Sequence, residues 1–494
     1  MRTNGTVARC SGSWCRPRPV RAACCAAVGT VHHLEPRRMP VSTEGLMRLR
    51  TASLRHLVPV VVVVTILLLT SMPSAAQVPP PSVDAAARAA IVDEIVSALE
   101  EAYIFLETAE AMGAHVRERL AAGAYDDAGD LVAFTDRLTR DLQEVSKDLH
   151  LRVSWDPRRP EDGAGGPSDE ERRAMQLEQM RSQNFCFDRL ERMAGNVGYL
   201  KLDCFAPAEV AGPTAIAAMN FLANSDALII DLRANGGGSP SMIQLLTSYL
   251  LEEPTHLNSF YVRQSDSTQQ FWTQAWVQGP KLSDVPVWVL TSGRTFSAAE
   301  EFSYNLRNLE RANLVGETTG GGAHPVQGYR LDEHPVSVSL PYGRAINPIS
   351  GTNWEGTGVE PHVAVPAGEA LATAHRQALE RLAAEEGDPQ RRARLEFAVQ
   401  TVELRQRAPV ALSPSQLDQY VGTFGPRRIT RDGADLVYQR GEGARVVLVP
   451  AGDDVFLFGA DDQFRIRFER VAGGEVARLV GLYADGREEA HSRE

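Results

Sequence analysis

The sequence predicts an α/β protein whose central sheet is largely parallel and covered by helices. Short apolar runs alternate with segments of helical spacing between residues 185 and 385. Strands and helices that alternate at these lengths are typical of a parallel sheet with helices packed on it. A helical region is predicted before this core, and a small all-β domain after it.

The first 76 residues form a leader that differs in composition from the rest. An apolar run within residues 56–70 follows several arginines, and residues 73–77 form a small-residue pattern typical of a cleavage site. Together these features predict a secretory signal peptide, and hence an exported protein that is periplasmic or extracellular. A membrane anchor is the alternative, but about 14 apolar residues are few against the ~20 that a spanning helix needs. No stable membrane span is therefore expected after cleavage. Residues 1–46 fit no signal peptide, so translation could begin at Met47.

Composition excludes one class of partner. Without the leader the chain keeps 41 Lys and Arg against 61 Asp and Glu, a net charge of −20. So acidic a chain repels phosphate backbones, and nucleic acid is not an expected partner. Apolar residues make up 43% of the sequence, which is ordinary for a globular protein with an ample core. The sequence predicts neither a cofactor nor a bound metal, and it does not indicate an oligomeric state.

Three domains are predicted after the leader. Residues 82–155 form an N-terminal helical domain of three or four helices that ends in a strand-like segment. Residues 180–385 form the α/β core, and residues 411–494 a β domain of short alternating runs separated by turns. The strands of the core are predicted at residues 197–202, 227–232, 285–290, 313–315 and 336–340, and its helices at residues 213–224, 242–251 and 298–309. A charged helical segment, residues 369–407, closes the core.

Two cysteines remain after the leader. Cys186 and Cys204 lie symmetrically about Gly195, so they could face each other across a hairpin. An exported chain permits a disulfide between them. Two separately buried thiols are the alternative.

Ser297 follows a predicted buried strand and precedes a predicted helix. Unpaired backbone N–H groups point outward at such a junction, where a hydroxyl can attack a carbonyl and nearby N–H groups can hold the oxyanion. The alternative is structural, because Ser297 and Glu300 have the spacing of a helix capping box.

A glycine-rich turn, residues 235–238, closes the predicted strand at residues 227–232. Its glycines allow a close approach of the backbone to a ligand, and its N–H groups could form an oxyanion site. A plain loop is the alternative.

A base for Ser297 is sought among histidines, because no lysine follows Lys281 in the chain. His150 stands at the entry to a predicted strand, and His324 follows a second glycine-rich turn. Glu355 lies in an acidic turn and could orient a base. A lone histidine is more often a surface or satisfied core residue, and Glu355 could be a solvated charge.

Four segments occur in an order that resembles the tail-specific (C-terminal-processing) serine peptidase family. They are DLRANGGG, TFSAAEEF, GETTGGGAHP and EGTGVEP, and the resemblance spans roughly residues 85–385. It is strongest to the branch with interphotoreceptor retinoid-binding protein and the tricorn protease core. This resemblance implies a crotonase-like (ClpP-like) core and hydrolysis of peptide or protein substrates near their C-termini.

The resemblance also assigns roles to individual residues. It implies that Ser297 is the nucleophile, that His150 and Glu355 act as base and orienting carboxylate, and that Gly237 and Ala298 donate to the oxyanion. The lysine used by part of the family falls within residues 319–322, which contain none, and the auxiliary serine of the tricorn-like branch falls at Leu149. His324 is the alternative base. No segment between Asp148 and the core resembles the peptide-binding PDZ module common among relatives.

Two functions follow from the sequence. The first is an exported serine peptidase with a Ser-His-Glu mechanism. The second is a binding protein for a small apolar ligand or a peptide on the same scaffold, since related retinoid-binding proteins keep much of this pattern and a fold alone does not imply hydrolysis.

Overall fold

Residues 79–156, 168–407, 410–459 and 461–494 are described by a computed structural model of the chain. The predicted signal peptide and the candidate start Met47 lie outside these residues. Across the described ranges, no helix has both the length and the apolar character needed to cross a membrane.

The helices in chain order are α1 (Ala85–Ala102), α2 (Leu106–Ala121), α3 (Leu131–Ser146), α4 (Asp169–Ser182), α5 (Ala208–Phe221), α6 (Pro240–Leu250), α7 (Ala298–Asn308), α8 (Ala370–Glu385), α9 (Pro389–Gln406) and α10 (Pro414–Asp418). The strands up to the end of the α/β region are β1 (Arg152–Trp155), β2 (Phe187–Met193), β3 (Val197–Leu202), β4 (Ala227–Asp231), β5 (His256–Val262), β6 (Ser267–Trp272), β7 (Val287–Thr291), β8 (Ala312–Gly316), β9 (Val326–Arg330), β10 (Val336–Pro341), β11 (Gly343–Ile346) and β12 (Val363–Ala364). The C-terminal strands are β13 (Gly422–Phe424), β14 (Arg427–Asp432), β15 (Asp435–Arg440), β16 (Val446–Gly452), β17 (Val455–Phe458), β18 (Asp461–Arg470), β19 (Val476–Tyr483) and β20 (Glu488–Ser492).

The central sheet has the order β12-β8-β7-β4-β3-β2. Its strands are parallel except β2, which pairs antiparallel with β3. Helices α5, α6 and α7 contribute to the apolar cluster on one face, and α8 and α9 to the cluster on the other. The mixed α/β architecture expected from the sequence is thus confirmed. The carboxyl ends of β4 and β7 lead directly into the glycine-rich turn and the Ser297 turn.

Helices α1 to α3 pack together with a three-stranded antiparallel sheet of order β1-β10-β9. Asp84 caps α1 by accepting from the Ala87 N–H, and Asp130 caps α3 by accepting from the Ala133 N–H. Helix α3 ends at Lys147, whose φ of 58° turns the chain toward β1. His150 lies in this short connection.

Strands β2 and β3 form a hairpin with its turn at Gly195. Cys186 and Cys204 lie just outside the two strands and are joined in a disulfide, with 5.3 Å between their Cα atoms. The disulfide therefore closes the open end of this hairpin.

The C-terminal region is an eight-stranded antiparallel sheet in sequential order, β13 to β20, that nearly closes into a barrel. At the seam the Glu494 N–H donates to the carbonyl of Thr423 at 3.0 Å. Arg465 on β18 is buried against α9, where its guanidinium lies 3.9 Å from the Phe397 ring centroid. This contact attaches the β sheet to the last helix of the preceding region.

Several elements differ from the sequence prediction. Helix α5 begins before Pro213 and contains it, whereas the prediction began the helix at that proline. The segment 369–407 is two helices, separated by the Gly387-Asp388-Pro389 break. Helix α4 and the β5–β6 hairpin were not predicted, because the mostly exposed residues of α4 and β6 show no clear apolar period. The domain boundaries 82–155, 180–385 and 411–494 stay predictions.

Candidate active site

Ser297 lies between β7 and α7 as the N-cap residue of the helix. Its backbone has φ 54° and ψ −121°, a region that costs a non-glycine residue about 1–3 kcal/mol. A side-chain hydrogen bond fixes this turn, because the Thr295 hydroxyl donates to the Leu232 carbonyl at 2.8 Å. The Ser297 N–H donates to Glu300 Oε2 at 2.8 Å. The capping position and the position predicted for the nucleophile therefore belong to the same residue, whose backbone is strained and whose side chain is half-buried.

The glycine-rich turn after β4 lies directly against the Ser297 turn. A Cβ on Gly237 would stand 2.8 Å from Ser297 Cβ and 3.2 Å from the Ala298 nitrogen, so only glycine fits there. The Ala298 N–H has no acceptor among the residues that the structure describes. The Gly237 N–H, by contrast, donates to Asn235 Oδ1 at 2.9 Å. The two proposed oxyanion donors are neighbours, but only the Ala298 N–H is free.

Asn235 joins the two turns. It is fully buried, and its carbonyl accepts from the Phe296 N–H at 3.1 Å. Its side chain donates to the Leu202 carbonyl and accepts from Gly237. The position of the glycine-rich turn relative to Ser297 is therefore fixed by hydrogen bonds.

Glu300 joins the Ser297 turn to the second glycine-rich turn. Besides the Ser297 N–H, its carboxylate accepts from the Gly322 N–H at 2.9 Å and the Gly321 N–H at 2.6 Å. It also accepts from the Thr319 hydroxyl at 2.5 Å. Burial raises the pKa of Glu300, and the hydrogen bonds from Thr319 and the backbone act in the opposite direction. All four bonds need acceptor oxygens, which the carboxylate supplies.

His150 reaches this site from the connection between α3 and β1. Its ring lies on the Phe296 ring, with centroids 4.6 Å apart and 39° between the planes. A Cβ on Gly322 would stand 2.6 Å from His150 Cε1, so this turn also contacts the ring. Within the described part of the chain no hydrogen bond joins the Ser297 hydroxyl to the His150 ring, and His150 Nδ1 is buried without a partner. Burial lowers the pKa of His150 to about 4, opposed by the nearby Asp148.

Asp148 is the centre of a buried cluster behind His150. Its carboxylate accepts from the His150 backbone N–H at 3.0 Å and from the Tyr103 hydroxyl at 3.3 Å. The same carboxylate lies 2.7 Å from His324 Nδ1. The base candidate, the N-terminal helical region and the second glycine-rich turn therefore meet at one side chain.

Glu355 belongs to the same cluster. Its Oε2 accepts from the Ala323 N–H at 2.5 Å and the His324 N–H at 3.2 Å, whereas its Oε1 is buried without a partner. Burial and then the charge of Asp148 raise the pKa of Glu355 to about 7. One ring nitrogen of His150 and one oxygen each of Asp148 and Glu355 lie within 4.8 Å of one another. The structure thus brings Glu355 close to His150.

His324, the alternative base, lies deeper than His150. It is buried, its Nδ1 is directed to Asp148, and its ring packs edge-on against Phe105 at 5.6 Å. These contacts make it a partner of the carboxylates in the cluster. Leu149, at the auxiliary-serine position, is 45% exposed.

Among the residues that the structure describes, two sets of side chains have the spacing of metal ligands. Asp148, His150 and Glu355 form one set, and His115, Asp141 and Glu144 the other. In the first set the carboxylates already accept hydrogen bonds from backbone N–H groups, Tyr103 and His324. In the second, Asp141 accepts from Tyr125 and Arg119.

Sequence reasoning missed Asp148, Asn235, Phe296 and the wider role of Glu300. Asp148 carried one local signal, since its spacing to His150 permits a carboxylate to accept a backbone N–H two residues on. Glu300 was predicted only as a capping partner, and its bonds to Gly321 and Gly322 span 21 and 22 residues. No local pattern indicates contacts at that distance.

A strained serine at a strand-to-helix turn, with a free N–H beside it and a histidine–carboxylate cluster against the same turn, defines the class of serine hydrolases. Comparison with known families narrows this class. The model of peptidase family S41 matches residues 196–365, and the model of the N-terminal domain of peptidase S41 in eukaryotic IRBP matches residues 85–189. The chain belongs to peptidase family S41, a family of serine proteases.

Solved structures that resemble the chain include proteases of this kind. The photosystem II D1 C-terminal processing protease is 15% identical, with 57% of this chain and 93% of that chain covered at a TM-score of 0.37. A lipoprotein from Streptococcus agalactiae is 14% identical, with 62% and 99% covered and a TM-score of 0.40. The tricorn protease is 12% identical, with 63% and 36% covered and a TM-score of 0.36.

Proposed function

We propose that this chain is an exported peptidase in which Ser297 is the nucleophile, His150 the general base and Glu355 the carboxylate that orients His150. The observation that carries this proposal is the contact between the His150 ring and Phe296, the residue immediately before Ser297. It supports a base that works beside the nucleophile, although the two residues are far apart in the sequence.

The proposed reaction starts when His150 takes the proton of the Ser297 hydroxyl, which attacks the scissile carbonyl. General-base action of this kind is worth about 10²–10⁴ in rate. A hydrogen bond from the Ser297 hydroxyl to His150 has to form when substrate binds, and such bonds are often long in the free enzyme. His150 then returns the proton to the leaving amine, and water hydrolyses the acyl intermediate by the same route.

We assign the oxyanion to the N–H groups of Ala298 and Gly237. The Ala298 N–H is free to donate, whereas the Gly237 N–H donates to Asn235 Oδ1 and would have to leave it or share it. One donor of this type is worth about 10²–10³ in kcat. The Asn235 side chain would therefore set how much of this stabilisation the chain reaches.

The substrate is proposed to be a peptide or protein cleaved near its C-terminus, on a crotonase-like core. Both proposals rest on the resemblance of the four motifs to the tail-specific peptidases. A comparison of peptides with free and amidated C-termini tests the first, since a preference for C-terminal substrates predicts faster cleavage of the free acids.

A binding protein on the same scaffold is the second candidate. The absence of a Ser297–His150 hydrogen bond in the described chain and the occupied Gly237 N–H favour it. So does the match of residues 85–189 to a domain described from eukaryotic IRBP. An intact Ser297, His150 and Glu355 favour the enzyme.

A fluorophosphonate probe distinguishes the two. The enzyme predicts covalent labelling at Ser297, which is lost in Ser297→Ala and sharply reduced in His150→Ala. Ser303→Ala is a matched control on the same helix, because its hydroxyl donates within the helix, to the Ala299 carbonyl. Labelling that ignores Ser297→Ala, or a wild type that neither labels nor cleaves peptides, would overturn the proposal.

Export is proposed from the predicted signal peptide alone. Expression of the full-length gene in a Gram-negative host should give a periplasmic protein whose N-terminus lies near residue 77. A full-length cytoplasmic product would contradict this proposal.

A further inference from the structure

We propose that Phe296 and Gly322 together form a seat for the His150 ring, which makes Phe296 a positioning residue for the base. The imidazole seat, as we call it, comprises the Phe296 ring and the backbone of Gly320 and Gly322. The proposal rests on the proposed function, in which His150 is the base, and it assigns roles that the four motifs do not.

The seat depends on glycine at positions 320 and 322, where a side chain would collide with the rings. A Cβ on Gly322 would stand 2.3 Å from Phe296 Cζ and 2.6 Å from His150 Cε1. A Cβ on Gly320 would stand 2.7 Å from Phe296 Cδ2. Real Cβ atoms do not approach other atoms so closely, so any larger residue at position 322 would displace one ring or both. Glycine at this position is what lets the two rings lie together.

Packing is the contact that orients the His150 ring. Its Nδ1 is buried and unpartnered, and no hydrogen bond to the ring is present among the described residues. The Asp148 carboxylate accepts from the His150 backbone N–H and makes no hydrogen bond to its ring. In many sites a hydrogen bond to the base fixes its orientation. Here the Phe296 face and the Gly322 backbone hold the ring in the free chain, and the orienting bond proposed from Glu355 would be added to this packing.

The seat is tied to the nucleophile. Phe296 precedes Ser297 in the chain, and its N–H is fixed by the Asn235 carbonyl. Gly322 is fixed through Glu300, which bonds the N–H groups of Gly322 and Ser297 with the same oxygen. The His150 ring is therefore connected to the Ser297 turn in two ways, through Phe296 and through Gly322 and Glu300. A displacement of about 1 Å between reacting groups can cost about 10²-fold in rate.

Two variants remove the seat in opposite ways. Phe296→Leu takes away the aromatic face, and Gly322→Ala adds the methyl group that the seat excludes. Each should slow fluorophosphonate labelling of Ser297 by about 10²-fold. The double variant should be less impaired than the product of the two losses, because the smaller leucine gives the alanine methyl group room. Gly328→Ala is the control, since a Cβ there meets nothing within 4 Å.

A second measurement follows the ring itself in the full chain. Nuclear magnetic resonance of ¹³Cε1-labelled histidine, with His150→Gln to assign the signal, gives the pKa of His150. Burial keeps this pKa near 4, and loss of the Phe296 face should move the pKa of His150 up toward the ordinary histidine value of 6.5. Gly328→Ala should leave it unchanged.

The outcomes separate this proposal from the proposed function. Wild-type labelling rates and an unchanged His150 pKa in Phe296→Leu and Gly322→Ala would overturn the seat. A wild type that never labels, with a His150 pKa that still rises in Phe296→Leu, would support the seat and overturn the peptidase. Losses in the two single variants that simply multiply in the double variant would refute a shared seat.

Discussion

Replacing Glu300 with glutamine is the most informative perturbation of the scaffold around Ser297. The carboxylate accepts four hydrogen bonds, from the N–H groups of Ser297, Gly321 and Gly322 and from the Thr319 hydroxyl. Glutamine keeps one acceptor oxygen and turns the other into an amide group that donates. Whichever way the amide is oriented, two of the four donors then face another donor.

The cost follows from the number of bonds lost. A buried donor without an acceptor costs about 1–3 kcal/mol, so two of them cost about 2–6 kcal/mol. That is a large part of the 5–15 kcal/mol by which a domain is usually stable. Urea unfolding of wild type and Glu300→Gln at pH 8 measures the difference, and fluorophosphonate labelling at low urea measures the geometry of Ser297 in the folded variant.

Glu301→Gln is the matched control, one residue further along α7. Glu301 is buried, and burial raises its pKa to about 7, so the protonated acid predominates at pH 6 and glutamine resembles it. The raised pKa means that Glu301 stabilises the fold at low pH and that this contribution is lost as the pH rises through about 7. Glu301→Gln should therefore gain on wild type by about 1 kcal/mol per pH unit between about 4.5 and 7, and the difference should stay constant above 7. A Glu300→Gln protein whose free energy of unfolding lies within about 0.5 kcal/mol of wild type and that labels at the wild-type rate would contradict this role of Glu300.

Three further predictions concern the base and the hairpin. Peptidase activity should rise as the pH increases through about 7, where Glu355 ionises, and not near pH 4, where His150 loses its proton. A pH profile of kcat/KM whose acid limb lies below pH 5 would contradict this prediction. Leu149→Ser should change kcat/KM by less than about threefold, because the Leu149 side chain is 45% exposed and not held between His150 and Glu355. A gain of about tenfold in kcat/KM, the worth of one charge-assisted hydrogen bond, would show instead that the missing hydroxyl limits the enzyme. The double variant Cys186→Ser/Cys204→Ser should lose about 3 kcal/mol in urea unfolding, because the disulfide closes a loop with a sequence separation of 18 residues, and equal stability would contradict that role.

The part of the fold that could be predicted was predicted mostly from local sequence patterns. The strand at residues 197–202 has the observed bounds of β3, since its run is apolar and short. Helix α4 was missed although Ser168 and Glu171 form a capping box at its start, because the helix has no apolar face to follow. The β5–β6 hairpin was missed because almost every residue of β6 is exposed, so the alternation that marks a half-buried strand is lacking.

The candidate site divides in the same way. The Ser297 turn and the Gly237 turn are local features at strand ends and could be predicted from short motifs. The approach of His150 to Phe296 joins residues about 150 positions apart, and only the family resemblance indicated it. Asp148 and Glu300 act through contacts between distant segments, which a sequence without structure does not reveal.

Hydrolysis of peptide bonds by Ser297 with the help of His150 is tested by mass-spectrometric analysis of a peptide mixture. The mixture is incubated with wild type, Ser297→Ala and His150→Ala prepared in parallel. We expect cleavage products with wild type, none with Ser297→Ala, and a loss of about 10²–10⁴ in rate with His150→Ala. Equal product formation by wild type and Ser297→Ala, or none by any of the three, would contradict this expectation.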